Sequence, residues 1–268
     1  MMACVSVTEY LHSMKEGQGK FQRKKFDNLV FGRQPVVELL MRDASVDKIL
    51  LSKTAQGDVV PQIKQKAAEK NIPIQYVPVE KLNALTGGNH QGVIAFTAAV
   101  EFQKIDDVLP FIIEKGEVPL ILILDGITDV RNFGAIARTA YASGVHAIII
   151  PAHHTAPINS DAMKTSAGAL QEIPICREKN FELVLQYLKL NGLQILGADS
   201  QADTYIYQQN LTLPTAIIMG AEDEGMSAIS RKHLTSTVKI PMLNTFDSFN
   251  VSVATGIILY ETTRQRLQ

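Results

Sequence analysis

The segment Leu120-Ile121-Leu122-Ile123-Leu124, followed by Asp125-Gly126-Ile127-Thr128-Asp129-Val130-Arg131-Asn132-Phe133-Gly134 and then Ala135-Ile136-Ala137-Arg138-Thr139-Ala140, decides the fold. Five consecutive apolar residues, with Pro119 before them and Asp-Gly after, read as a strand buried on both faces. That pattern belongs to parallel sheets covered by helices. The polar loop therefore leaves the carboxyl end of a core strand. From about Phe133 the small and apolar residues around Arg138 predict a helix that stops at Gly144, and Val145 to Ile150 predict the next buried strand. Strand, loop, helix and strand make a βαβ unit. Its crevice end, where open α/β sheets hold their ligands, carries Asp125, Asp129, Asn132 and Arg138.

The rest of the chain bounds what that unit can serve. A length of 268 residues suits one large or two ordinary domains, and 46% apolar residues suffice for real cores. A formal net charge of −1 means that a nucleic acid would have to meet a local basic patch, since the protein as a whole is not basic. Cys4 and Cys176 have no ligand spacing, as expected of a reduced cytosolic protein. Met1 to Tyr10 lacks both a basic start and a long apolar core, and no run approaches the roughly 20 residues that span a bilayer. A soluble cytoplasmic protein, with no membrane partner, is expected.

Residues 1–27 are polar, end in Lys20-Phe21-Gln22-Arg23-Lys24-Lys25-Phe26, and read as a flexible basic extension. A small α/β domain is expected over 28–100, with helices from Arg33, Val59 and Val79 and strands at Val46–Leu51, Ile72–Val77 and Val93–Ala99. Before its last strand, Thr86-Gly87-Gly88-Asn89-His90-Gln91-Gly92 joins permissive glycines to hydrogen-bonding side chains. Residues 101–117 read as a linker with an entry helix, and 118–268 as the second domain. Within that domain the pair His153-His154 invites a metal, but no third ligand has suitable spacing, so no metal site is expected.

Three predicted core strands end in polar or glycine-bearing loops, after Leu124, Met219 and Ile240. If those strands lie parallel and side by side, the loops meet at one sheet edge. That edge would collect Asn132, Arg138, Glu222, Ser248 and Asn250. No Ser-His-Asp order, reactive cysteine or paired carboxylates appear, so the set suits positioning of a polar nucleophile better than covalent catalysis.

Asp125 to Ala140, Ile218-Met219-Gly220-Ala221-Glu222 through Gly225-Met226, and Ile240-Pro241-Met242 with Ser248-Phe249-Asn250-Val251-Ser252-Val253-Ala254 resemble, in order and spacing, the three motifs of the SpoU branch of the SPOUT RNA methyltransferases. Phe31-Gly32-Arg33 through Val93-Ile94-Ala95 resembles that family's small substrate-binding domain, related in fold to a ribosomal RNA-binding protein. The resemblance covers about residues 29 to 266. Val130, Phe133 and Phe249 depart from it, standing where the family usually has proline, leucine and leucine.

The resemblance implies an α/β fold with a C-terminal SPOUT α/β-knot: a deep trefoil knot in a mostly parallel sheet with helices on both faces. It implies S-adenosylmethionine as cofactor and methyl transfer to a ribose 2′-hydroxyl of RNA, first of all a guanosine of 23S rRNA. A tRNA target and a non-catalytic RNA-binding protein are the alternatives. Arg138 would be the catalytic arginine, with Asn132, Glu222, Ser248 and Asn250 shaping the site. Ala198, Met219, Gly220, Ile240, Met242 and Phe249 would hold the cofactor, and Arg33, Asn89, His90 and Gln91 would contact RNA. A homodimer is implied as well.

Overall fold

The computed structural model describes residues 28–42, 44–244 and 248–268. The basic stretch 1–27 and residues 245–247 lie outside the described residues. Within them, the first unit runs β1 (Leu29–Phe31), α1 (Arg33–Met41), β2 (Val46–Ser52), α2 (Val59–Glu69), β3 (Ile74–Val77), α3 (Val79–Leu85) and β4 (Val93–Thr97), with strand order β1-β4-β2-β3. β3 joins β2 in parallel, while β4 runs antiparallel to both β1 and β2. β1 was not expected. Its three residues are too few to show a period and become a strand by pairing with β4.

The second unit continues with β5 (Phe102–Gln103), α4 (Ile105–Glu114), β6 (Leu120–Asp125), α5 (Val130–Ala142), β7 (Ala147–Pro151), α6 (Ser160–Thr165), α7 (Ala169–Glu172) and β8 (Ile175–Glu178). It closes with α8 (Phe181–Leu190), β9 (Gln194–Ala198), β10 (Thr204–Tyr205), β11 (Thr215–Gly220), α9 (Ala228–Lys232), β12 (Ser236–Lys239) and α10 (Val251–Arg266). The strand order is β10-β12-β9-β11-β6-β7-β8-β5, and each recorded pairing is parallel. Residues 101–117, expected as a linker with an entry helix, contain that helix and also an unexpected strand. They supply edge strand β5, paired with β8, and α4, which buries Ile105, Val108, Leu109 and Ile112 against the sheet.

The run at 120–124 explains itself in this setting. Leu120, Leu122 and Leu124 enter one apolar cluster with Phe133, Ile136, Ile258 and Leu259, while Ile121 and Ile123 enter a second with Leu109, Leu185 and Leu188. Side chains that alternate along the strand meet helices on both faces, so neither face is polar. α5 begins three residues earlier than expected. Asp129 caps it by accepting the Asn132 N–H at 2.7 Å, a contact worth about 1 kcal/mol. Val130 then occupies the first helical position, where proline's missing N–H would cost nothing, which accounts for the family's usual residue there.

Two arginines tie distant segments together. Arg266, at the end of α10, donates to the carbonyls of Val118, Pro119, Leu211 and Leu213 and so clasps the amino ends of β6 and β11. Arg177 on β8 is buried and donates to the carbonyls of Val46 and Asp47, each at 2.8 Å, while stacking 3.7 Å from the Phe102 ring. The first unit is thereby docked on the second. Burial pulls the Arg177 guanidinium down to about 10, still charged at neutral pH.

At the amino ends of the strands, the Leu120 N–H donates to His146 Nδ1 at 3.0 Å and His146 Nε2 faces Glu117 at 3.1 Å, so the neutral ring carries its proton on Nε2. Burial holds this imidazole below its ordinary range despite the opposing pull of Glu117. The unfolded chain consequently takes the proton more readily. Stability from this contact is complete above the unfolded value of about 6.5 and is lost as pH falls through the folded value. Melting temperature is expected to drop between about pH 7.5 and 5.5, and His146→Asn, which keeps an acceptor for Leu120, to flatten that drop. Scanning calorimetry of both proteins would check it; equal slopes would refute it.

Candidate active site

Strand order puts the carboxyl ends of β12, β9, β11 and β6 side by side, and the polar loops gather there. β9 lies between β11 and β12, so a fourth loop, Ala198-Asp199-Ser200, joins the three anticipated ones. Two cavities open at this edge. The first is lined by Ala198, Met219, Gly220, Ile240, Met242 and Phe249, all six residues assigned to the cofactor from sequence, together with Glu222 and Ser248. Its floor is apolar, from Met226, Val238, Val251, Ala254 and Ile258.

The geometry of the β11 loop explains the glycine at 220. Ala221 and Gly225 exchange backbone hydrogen bonds at 3.1 and 2.9 Å, folding the chain back so that Gly225 and Met226 pass directly over Gly220. A Cβ on Gly220 would collide with the Gly225 carbonyl and the Met226 nitrogen. Asp125, buried at the end of β6, pins the far side of the same loop by accepting from the Ser227 N–H at 2.7 Å and the Ser230 hydroxyl at 2.6 Å. The cap of α5 is Asp129, which leaves the Asp125 carboxylate to this loop.

The second cavity, about 610 Å³, carries more polar side chains than the first and is lined by Asp129, Asn132, His154, Glu222, Asp223 and Glu224 among others. Ala221, Glu222, Gly225, Met226 and Val251 line both cavities. Glu222 is the ionisable side chain of that shared wall. Across it, Asn250 caps α10 by accepting from the Ser252 N–H and hydroxyl, and its Nδ2 donates to Asn132 Oδ1 at 3.2 Å. The first and third motifs are therefore joined by one hydrogen bond. It leaves the Asn132 amide N–H groups as donors.

Arg138 stands apart from this group. It is exposed on α5, lines neither cavity, and has no recorded hydrogen-bond or ion-pair partner among the described residues. Sequence reasoning also missed Asp199 and Arg231, which pair at 2.7 Å on the rim of the first cavity. Burial pushes the Asp199 carboxyl up, but the Gln201 N–H and Arg231 together hold it below its usual range. Their signal lay in the β9–β12 adjacency, which chain order does not reveal.

The Gly-rich loop of the first unit departs from expectation. His90 is buried; its Nδ1 accepts from the Gly92 N–H at 2.9 Å and its Nε2 meets Asn83 Oδ1 at 2.8 Å. It pins the loop and offers no edge to RNA. Arg33 Nε donates to the Gln91 carbonyl and the Arg33 N–H to Gln91 Oε1, so half-buried Arg33 and exposed Gln91 hold one another, and Asn89 is exposed beside them.

Comparison with known proteins agrees with both units. The profile described as the SpoU rRNA Methylase family matches residues 119–260, and that described as RNA 2'-O ribose methyltransferase substrate binding matches residues 29–103. YacO of Bacillus subtilis, whose name gives the TrmH family and both tRNA and rRNA, is 35% identical over 237 residues, 88% of this chain and 95% of its own length. The 23S rRNA (guanosine-2'-O-)-methyltransferase RlmB of Yersinia pestis is 36% identical over 242 residues, 89% of this chain and 97% of its own. In fold, the chain is similar to the SpoU methyltransferase AviRb of Streptomyces viridochromogenes in complex with AdoMet, with a TM-score of 0.57, 22% identity, and 97% and 98% of the two chains covered.

Proposed function

The chain belongs to the SpoU rRNA methylase family, and from that premise we propose that it transfers a methyl group to the 2′-hydroxyl of a guanosine in 23S rRNA. The observation that carries this reading is the wall shared by a cavity with an apolar floor and a more polar one at the ends of four parallel strands. A donor and an acceptor seated on either side of Glu222 would be neighbours, as group transfer requires. The fold of the family implies the deep trefoil knot expected from sequence.

The first cavity fits S-adenosylmethionine: an apolar floor suits a purine ring, the absence of a Cβ at 220 lets Gly225 and Met226 close over β11 and form the cavity wall, and the Asp199–Arg231 pair at the rim suits ribose hydroxyls. When bound, this cofactor supplies an electrophilic methyl group on a sulfonium centre. The chain's own residues must do the rest. A ribose hydroxyl is almost un-ionised at neutral pH, so its proton has to be held or drawn away while its oxygen is kept in line. Glu222 is the acceptor for that proton on the shared wall, and the Asn132 amide, oriented by Asn250, donates to a ribose or phosphate oxygen. Arg138 meets the RNA phosphate from outside the cavities, as a planar fork of donors.

A homodimer belongs to the same proposal. Tyr141 on α5 and Val253 and Tyr260 on α10 are 50%, 50% and 69% exposed, an apolar stripe on two packed helices that also bears Arg138. A second copy covering this stripe would bring Arg138 close to an interface. Cytoplasmic action is part of the proposal too; among the described residues no helix is long and apolar enough to cross a membrane.

Calorimetric titration with S-adenosylmethionine is expected to give one site per chain, and ribose-methylation mapping of a deletion strain to lose one guanosine mark in 23S rRNA. Loss of a tRNA mark instead would move the substrate to tRNA. Absence of binding heat at millimolar cofactor would end the enzymatic reading, and a monomer by light scattering would end the dimer.

A further inference from the structure

The pair His153-His154, which carries no metal reading, lies just beyond β7, the neighbour of β6 along the same sheet edge. His154 is exposed with φ at +57°, a left-handed conformation that strains a side-chain-bearing residue. It lines the acceptor cavity and also a separate groove of about 350 Å³ between the two units. The groove and the acceptor cavity therefore meet at this one residue, the only described one that lines both.

We infer that this groove is a subsite for the RNA nucleotide flanking the methylated one, with His154 as the post around which the strand passes; the inference rests on the functional reading above. The lining has the required chemistry. Lys48, whose ammonium lies over the Phe96 ring at 5.5 Å, and His153 offer donors to a phosphate, Ile74 gives an apolar surface, and Gln75 gives an exposed amide for a base edge. The buried Arg177 bonds to Val46 and Asp47 keep the two walls at a fixed separation, so the groove is built before RNA arrives. Asp47, the acid of this lining, is buried, and burial pushes its carboxyl up against the pull of Lys48 and Arg177. Apart from Asp47, the floor presented to RNA is formed by donors, an amide and apolar surface.

The test uses the full chain, S-adenosylmethionine carrying a labelled methyl, and a 23S rRNA transcript. His154→Gly removes the imidazole and also relieves the left-handed strain, so misfolding is not a competing explanation. Its KM for the transcript is expected to rise about tenfold, with cofactor affinity unmoved, since a single nucleic-acid contact is worth about 1–3 kcal/mol. Gln75→Ala should act in the same direction, and 4-thiouridine in the transcript should crosslink to the peptide containing His153 and His154. Normal KM values in both variants, with crosslinks confined to the segments around Asn132 and Glu222, would overturn the groove alone. An unaltered protein that binds cofactor but methylates no RNA would overturn the functional reading, and the groove with it.

Discussion

Arg138→Ala is expected to lower the turnover of methyl transfer by about a hundred- to a thousandfold, the usual cost of removing a charged group that acts on the transition state. The fold makes this an unusually clean substitution. Arg138 is exposed on α5, outside both cavities and without a recorded partner among the described residues, so the substitution removes no recorded contact within one chain, and light scattering of the variant would show that the proposed dimer is kept. Surface changes of that kind fall within about 0.5 kcal/mol in stability. Melting temperature and cofactor affinity should therefore match the unaltered protein while turnover collapses. Arg138→Lys keeps the charge and loses the planar fork, and should recover only part of the rate if the guanidinium grips a phosphate. Single-turnover assays with saturating RNA and cofactor would read both. Full activity in the alanine variant would remove Arg138 from the reaction and leave Glu222 and the Asn132–Asn250 pair as the site.

How much of this could be read from sequence depends on what each residue answers to. The run Leu120–Leu124 answers to local burial on two faces, and its strand, loop and helix were legible because the pattern is continuous. The six cofactor-side residues follow strands that are equally plain in sequence, and the structure gathers them in one cavity. By contrast, β5 and β10 have two residues each and exist only through their neighbours β8 and β12. No period announces such strands. Asp199 and Arg231 were missed for a related reason, since their meeting depends on β9 lying between β11 and β12. His90 shows the opposite failure. A histidine among glycines looks like a ligand contact, but its two ring nitrogens are satisfied by Asn83 and Gly92 in the interior. Burial, invisible in a loop sequence, decided its role. Phe133 and Phe249 divide the same way: one is fully buried against the sheet core, the other half exposed on the rim of the first cavity, so only the second can alter what that cavity accepts.

Gly220→Ala should abolish measurable cofactor binding, for a reason seated in backbone rather than in any functional group. A methyl at this position is opposed by the Gly225 carbonyl and the Met226 nitrogen, main-chain atoms that no rotamer change can move aside. They are held from both ends. The Ala221–Gly225 hydrogen bonds close the loop on one side, and Asp125 fixes Ser227 and Ser230 on the other. Relief requires opening that loop, which withdraws Ala221, Glu222, Gly225 and Met226 from the wall shared by both cavities. Overpacking of this kind costs about 1–3 kcal/mol, or more where backbone must shift, and each 1.4 kcal/mol charged to the binding-competent loop is about tenfold in affinity. The sheet itself should survive, because β11 remains paired with β6 and β9 below the substitution. Circular dichroism should thus report a folded protein with a modestly lower melting temperature, while titration with S-adenosylmethionine shows no heat. Retained affinity in a folded Gly220→Ala protein would mean that the loop holds no part of the cofactor, and the shared-wall reading would fall with it.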